Sequence, residues 1–224
     1  MTKELKAEKA FLHPKDNVGL FRGLAYIGMV FAEHSWPNLE AILKERLKSV
    51  NDIDNNFPRY TRDTYLAIVL FFSYVDATAL STKKLLMNAK KQHLLRPMSK
   101  KQLALIEKDA DRVGFEELMK IQFSILPCSL GAPSKYGTIK QHSLPNLFKL
   151  RGIRNSIVHP DGLADLIGVD VTGLDGKDIN TPMAEFMSQL QKILASCAKR
   201  LVPPQKRDDV DVLAWLQKRE FDLK

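Results

Sequence analysis

Between Lys149 and Pro160 the chain reads Lys-Leu-Arg-Gly-Ile-Arg-Asn-Ser-Ile-Val-His-Pro. Arg151 and Arg154 carry the planar donors that hold a phosphate, and His159 carries the imidazole that moves a proton near neutral pH. Asn155 adds a further polar group to the set. A helix that only filled a core would need none of them, whereas cleavage of an RNA phosphodiester could use them all.

Helical geometry has to place these residues. At ~100° per residue, Leu150, Ile153 and Ile157 follow i, i+3, i+7 spacing and are expected to form a core-facing stripe. Arg151, Asn155 and His159 follow i, i+4, i+8 spacing and fall on roughly the opposite side, with Arg154 at the seam. Ser143 is expected to cap this helix, with Pro145 in its first turn. Pro160 should end it near His159, because the residue before a proline disfavours the α region. A cation at a helix C-terminus sits in a favourable field, which suits a histidine acting as general acid. The same feature has a plain structural reading, since cationic last turns are ordinary helix-end chemistry.

Arg154-Asn155-Ser156-Ile157-Val158-His159 resembles the signature of the HEPN superfamily: an Arg, a polar residue, a few intervening residues and a His. The Ile-Val-His-Pro ending is similar to family members too. The resemblance covers about residues 60 to 201 and implies an all-α bundle that dimerises so that two motifs meet across a cleft. It implies a metal-independent endoribonuclease without a cofactor, acting in toxin–antitoxin, phage-defence or RNA-processing systems. The alternative it implies is a non-catalytic binding or dimerisation module in a regulatory or defence complex. On this resemblance, Arg154 would polarise the scissile phosphate and His159 would act as general acid or base. Asn155 would orient the histidine or bond the phosphate, and Arg151 would support them. Some members add an acidic residue on an earlier long helix. Asp76 is the candidate here, with Arg154 as its natural partner if it is buried and a solvent-facing position as the other reading.

Other constellations carry less. His13, His34, His93 and His142 show no zinc-ligand spacing, and no metal is expected. The glycines from Gly19 to Gly28 match neither phosphate-binding loop. Cys128 and Cys197 are distant in sequence and lack a CxxC pattern, which argues against a disulfide framework and fits a reducing cytoplasm. The N-terminus is charged and lacks a signal-type apolar block.

The chain has 224 residues, 45% of them hydrophobic and 27% charged, as for a globular protein with one good-sized core. A net charge of +8 favours polyanionic partners, nucleic acid first and an anionic membrane surface second, although a basic solvated surface reads the same way. A homodimer is expected, with an antitoxin or regulatory protein as a further possible partner and no membrane: the apolar stretch from Tyr65 to Val75 is shorter than the ~20 residues a bilayer needs.

The pattern predicts an all-α, HEPN-like bundle with extra N-terminal helices and a short C-terminal helical tail. Its expected divisions are an N-terminal extension over 1–58, a core over 59–201 and a tail over 202–224. Helices are expected over about 18–34, 35–50, 61–95, 99–113 and 115–126, with a chain break at Ser35-Trp36-Pro37, a break near Ser81-Thr82, and a stop at Pro127. Loops are expected over 51–58 and 128–143. A hairpin around 167–173, a core helix from Thr181 to about Leu201, and an amphipathic tail carrying Val212, Leu213, Trp215 and Leu216 complete the reading.

Overall fold

A computed structural model describes residues 17–50, 53–159 and 176–201. The expected hairpin and the amphipathic tail lie outside the described residues. Within those residues the protein is all-α, and no strand occurs. The helices are α1 (Asn17–Val30), α2 (Trp36–Val50), α3 (Ile53–Lys91), α4 (Lys100–Glu107), α5 (Phe115–Lys120), α6 (Leu126–Ser129), α7 (Tyr136–His142), α8 (Leu144–Val158) and α9 (Gly176–Leu201).

Two prolines expected to break the chain instead reshape it. A π-helical turn at Phe31–Ser35 joins α1 to α2 without interruption. Pro37 has no N–H to offer the carbonyl four residues back, and a wider turn absorbs that loss. At the same junction the side chain of Asn38 donates to the His34 carbonyl at 2.8 Å. A second π turn, Ile121–Ile125, carries the chain past Pro127 into α6. Here the Phe123 carbonyl, which Pro127 cannot serve, accepts from the Lys135 N–H at 2.8 Å and from Ser134 Oγ at 3.2 Å.

The expected loop over 51–58 is helical from Ile53, and α3 runs 39 residues with no break at Ser81-Thr82. Thr82 stays in the helix because its hydroxyl donates to the Thr78 carbonyl at 2.8 Å. The helix stops at Lys91, short of Pro97, because His93 adopts φ 57. The His93 N–H then reaches the Lys90 carbonyl and the Leu94 N–H the Ala89 carbonyl, both at 3.0 Å, which is the Schellman pattern. The capping box expected at Ser99 and Gln102 is present at the start of α4. That helix ends at Glu107, and a 3₁₀ turn at Ala110–Arg112 follows. The expected loop before Ser143 contains α7.

The apolar part of α3 is longer than the sequence suggested. The 33 residues Arg59–Lys91 are long and apolar enough to cross a bilayer by length and composition. Yet Ala67, Ile68, Phe71, Phe72, Val75, Ala79 and Leu86 are all fully buried against protein, as in a core helix.

The chain forms two compact units, each drawn from separate stretches of sequence. Among described residues, the first comprises 17–30, 76–137 and 189–201. Its core includes Leu24, Leu86, Ile106, Met119, Phe123 and Leu194. At Gly23 the helices come close: a Cβ there would meet Leu85 Cδ1 at 2.6 Å, and that side-chain end would have to shift. Gln122, fully buried, donates to Thr78 Oγ1 at 3.1 Å.

The second unit comprises 31–50, 53–75, 138–159 and 176–188. Phe71 meets Phe72 and Phe186 edge to face, with centroids 5.1 and 5.7 Å apart. Leu39, Leu43, Ile68, Leu147, Leu150 and Met183 complete this core. Each fully buried side chain of this size contributes roughly 1.5–3 kcal/mol.

Candidate functional site

The Arg-Asn-His helix enters already coiled. Ser143 donates its N–H to the Ile139 carbonyl at 2.9 Å and accepts from the Leu147 N–H at 3.1 Å. It holds the N-cap position in the α region, with no side-chain cap bond. The expected hydroxyl cap is therefore absent, because α7 already supplies the turn. Pro145 sits in the first turn, where a missing N–H is harmless.

The inward face of α8 differs from the expected one. Its buried residues are Leu144, Leu147 and Leu150, whereas Ile153 and Ile157 are only half-buried. Following the buried face along the helix leads to Arg151, four residues after Leu147, and to Arg154, four after Leu150. Arg151 therefore lies nearer the core face than expected, whereas Arg154 keeps its expected place at the border and Asn155 and His159 are exposed as expected. The Arg151 guanidinium lies over the buried Phe72 ring, 5.6 Å from its centroid. Arg154 is half-buried, and its Nε is shut from solvent with no protein acceptor. Its Nη1 donates to Asn155 Oδ1 at 3.1 Å. That bond gives Asn155 a role the sequence did not suggest: it steadies the neighbouring guanidinium.

His159 is exposed and forms the C-cap of α8, with φ −130 and ψ 64. Its N–H donates to the Asn155 carbonyl at 2.8 Å. The helix thus ends where Pro160 implied, and the imidazole is placed at its mouth. Gly152 leaves open space on this helix, with nothing within 4 Å of where a Cβ would sit. Lys149 pairs with Asp178 of α9 at 3.7 Å, which ties α8 to that helix. Chemically, the end of α8 offers a held guanidinium with unspent donors and an accessible imidazole. Those groups suit an anion and a proton transfer.

Asp76 lies half-buried on α3 and belongs to the first unit, whereas Arg151, Arg154, Asn155 and His159 belong to the second. Phe72, the platform beneath Arg151, escaped the sequence reading because an aromatic in an apolar run looks like core. Arg46 was missed as well. It is fully buried, donates from Nε to Thr64 Oγ1 at 2.8 Å and from Nη2 to Tyr60 Oη at 2.6 Å, and lies 4.7 Å from the Tyr60 ring centroid. The signal was available: Arg46 stands seven residues after Leu39 and three after Leu43, on the buried stripe of α2.

Among the described residues no cluster of three or more His, Cys, Asp or Glu could hold a metal ion. The Cys197 thiol is pushed up to about 12 by burial, with the Cys128 charge adding to the effect. A thiol held there is inert at neutral pH. No family model matches the chain, and no curated protein or solved structure does so either.

Proposed function

We propose that the chain is a HEPN-like, metal-independent endoribonuclease whose reaction centre is the C-terminal end of α8. The observation that carries this reading is the pairing of a half-buried Arg154, steadied by Asn155, with an exposed His159 at the helix end. A half-buried guanidinium with Nη donors beyond the one spent on Asn155 is suited to a bound phosphate oxygen. An accessible imidazole can exchange protons with a substrate.

In the proposed reaction, the 2′-hydroxyl loses its proton and its oxygen attacks the adjacent phosphorus. The bond to the 5′-oxygen breaks, and that oxygen leaves with a proton. Products are a 2′,3′-cyclic phosphate and a 5′-hydroxyl. His159 is the proton carrier, Arg154 stabilises charge on the phosphate, and Arg151 supports the site from its seat on Phe72. Two copies of α8 would complete one cleft in a cytoplasmic homodimer. The exposed Phe148 and Val158, 44% and 39% accessible on this same helix, support a partner surface there. A cognate antitoxin or defence-complex subunit would act by covering that surface.

The test is RNA cleavage in EDTA. The wild-type protein should cut, and His159→Ala should lower the rate by about 10²–10⁴-fold with an unchanged helical spectrum. Equal cutting by the variant would exclude His159. RNA bound but uncut by the wild type would favour the binding-module alternative.

A further inference from the structure

A second basic region lies in the first unit, where α3 ends and α4 begins. Its carboxylates are already committed. Lys90 pairs with Glu107, and Lys108 pairs with Glu117 at 2.7 Å. The Lys83 ammonium, nearly buried, donates to the Lys108 carbonyl. What remains outside these pairs is Lys84, Lys91, Lys100 and Lys101, all exposed and none with a carboxylate partner among the described residues. The first turn of α4 holds Lys100 and Lys101 and no acid, so nothing within that turn offsets them.

The Lys90–Glu107 pair brings α4 back alongside the end of α3. Lys100 stands seven residues from Glu107, about 10 Å along the helix. Lys84 and Lys91 are separated by a similar rise on α3. These spacings exceed the ~8 Å screening length at physiological salt, so each ammonium acts as a separate charge that successive phosphates of one polyanion can meet.

We propose that this α3–α4 corner is a docking surface for the phosphodiester backbone of nucleic acid. Asn88, Gln92 and His93, all exposed, add donors of the kind that bond phosphate and sugar oxygens. No Phe, Tyr or Trp occurs between Lys84 and Lys101, so the surface lacks a large stacking platform for bases and binds largely independently of sequence. An anionic membrane is the poorer fit. Stable interfacial binding uses apolar side chains that insert beside the charges, and the exposed large hydrophobics Tyr26, Leu47, Leu66, Phe148 and Val158 all lie elsewhere in the sequence. The proposal stands apart from the cleavage reading, since it concerns capture and not chemistry.

The experiment measures binding of full-length His159→Ala protein to a 20-nucleotide single-stranded RNA, and to DNA of the same sequence, over a range of salt. The variant Lys84→Gln/Lys91→Gln/Lys100→Gln/Lys101→Gln should lose at least about tenfold in affinity at low salt. Its salt slope should fall by nearly 3, at about 0.7 per lysine removed. RNA and DNA should behave alike. The corresponding four Lys→Arg changes should retain binding, which separates charge loss from any folding defect. Lys44→Gln/Lys48→Gln, which removes lysines paired with Glu40 and Glu45, should change little. An unchanged slope and affinity in the Gln variant would overturn the proposal. So would capture of the wild type by phosphatidylserine vesicles but not by either oligonucleotide.

Discussion

The two units treat positive charge in opposite ways. In the second, several arginines are held. Arg46 is enclosed with Tyr60 and Thr64, Arg151 lies on Phe72, and Arg154 is tied to Asn155. Arg62 bonds Asp63 at 2.8 Å, and Arg59 reaches both Glu45 and Asp63. In the first, Lys84, Lys91, Lys100 and Lys101 stand loose on the surface. The difference follows side-chain chemistry. A guanidinium is planar and weakly hydrated, so it can be fixed against rings and oxygens, whereas an ammonium is a strongly hydrated point charge. Held cations set geometry, which bond-breaking needs. Loose cations set potential, which capture needs. The cleavage and binding tests above probe these two uses at their largest, with 10²–10⁴-fold expected for His159 and about tenfold for the lysines.

The contrast can be broken by exchanging the two kinds of cation. Arg154→Lys should lower RNA cleavage by at least about tenfold, because one ammonium cannot reproduce the forked donors that bond both Asn155 and a phosphate. Lys100→Arg should leave oligonucleotide affinity within about twofold, since only its charge is used. If Arg154→Lys cuts as well as the wild type, the guanidinium is not positioning anything, and the distinction between held and loose cations loses its functional meaning.

Stability sharpens the same contrast. Arg46→Met should cost about 2–4 kcal/mol, because Tyr60 Oη and Thr64 Oγ1 lose a buried donor even where the apolar volume is kept. The same change at Lys84 should fall within about 0.5 kcal/mol. Urea unfolding curves of both variants give the comparison directly. A neutral Arg46→Met would mean that the buried guanidinium is no more than a spacer.

Much of the helical content was legible in the sequence. The capping box at Ser99 and the end of α8 at His159 follow from local chemistry that few neighbours can override. The prolines misled because their cost depends on what else can serve the freed carbonyl. Pro127 looked like a stop, but Ser134 and Lys135, seven and eight residues further on, fold back to bond the Phe123 carbonyl it leaves. The rotation of α8 was illegible for a different reason. The wheel ranks faces by hydrophobicity, and Ile153 and Ile157 outrank two arginines. Only the leucines of the first two turns, Leu144, Leu147 and Leu150, set the packing. Arg151 and Arg154 then follow inward because their stems pack as apolar surface while their heads find a ring and an amide. The long α3 was under-read because Ser81 and Thr82 looked like a break, whereas the Thr82 hydroxyl is satisfied inside the helix by the Thr78 carbonyl.

Glu117 offers the smallest test, and it examines a place where the first unit holds a lysine with a carboxylate. Its carboxylate accepts from Lys108 Nζ at 2.7 Å and from the Gly114 N–H at 2.9 Å, closing the start of α5. The Lys108 bond, followed by the Gly114 bond, holds the Glu117 carboxyl below its usual range. A lowered folded value means that the stabilisation is fully present above the unfolded value of about 4.3, and is lost as pH falls through the folded value. Because the pair is partly open to solvent, it contributes about 0.5 kcal/mol or less. Glu117→Gln should therefore show a slightly lower urea midpoint at pH 7, and the gap should close as pH drops below about 4. A gap that persists undiminished at the acid end would mean that the amide disturbs the α5 cap itself. Lys108 would then belong with the loose lysines.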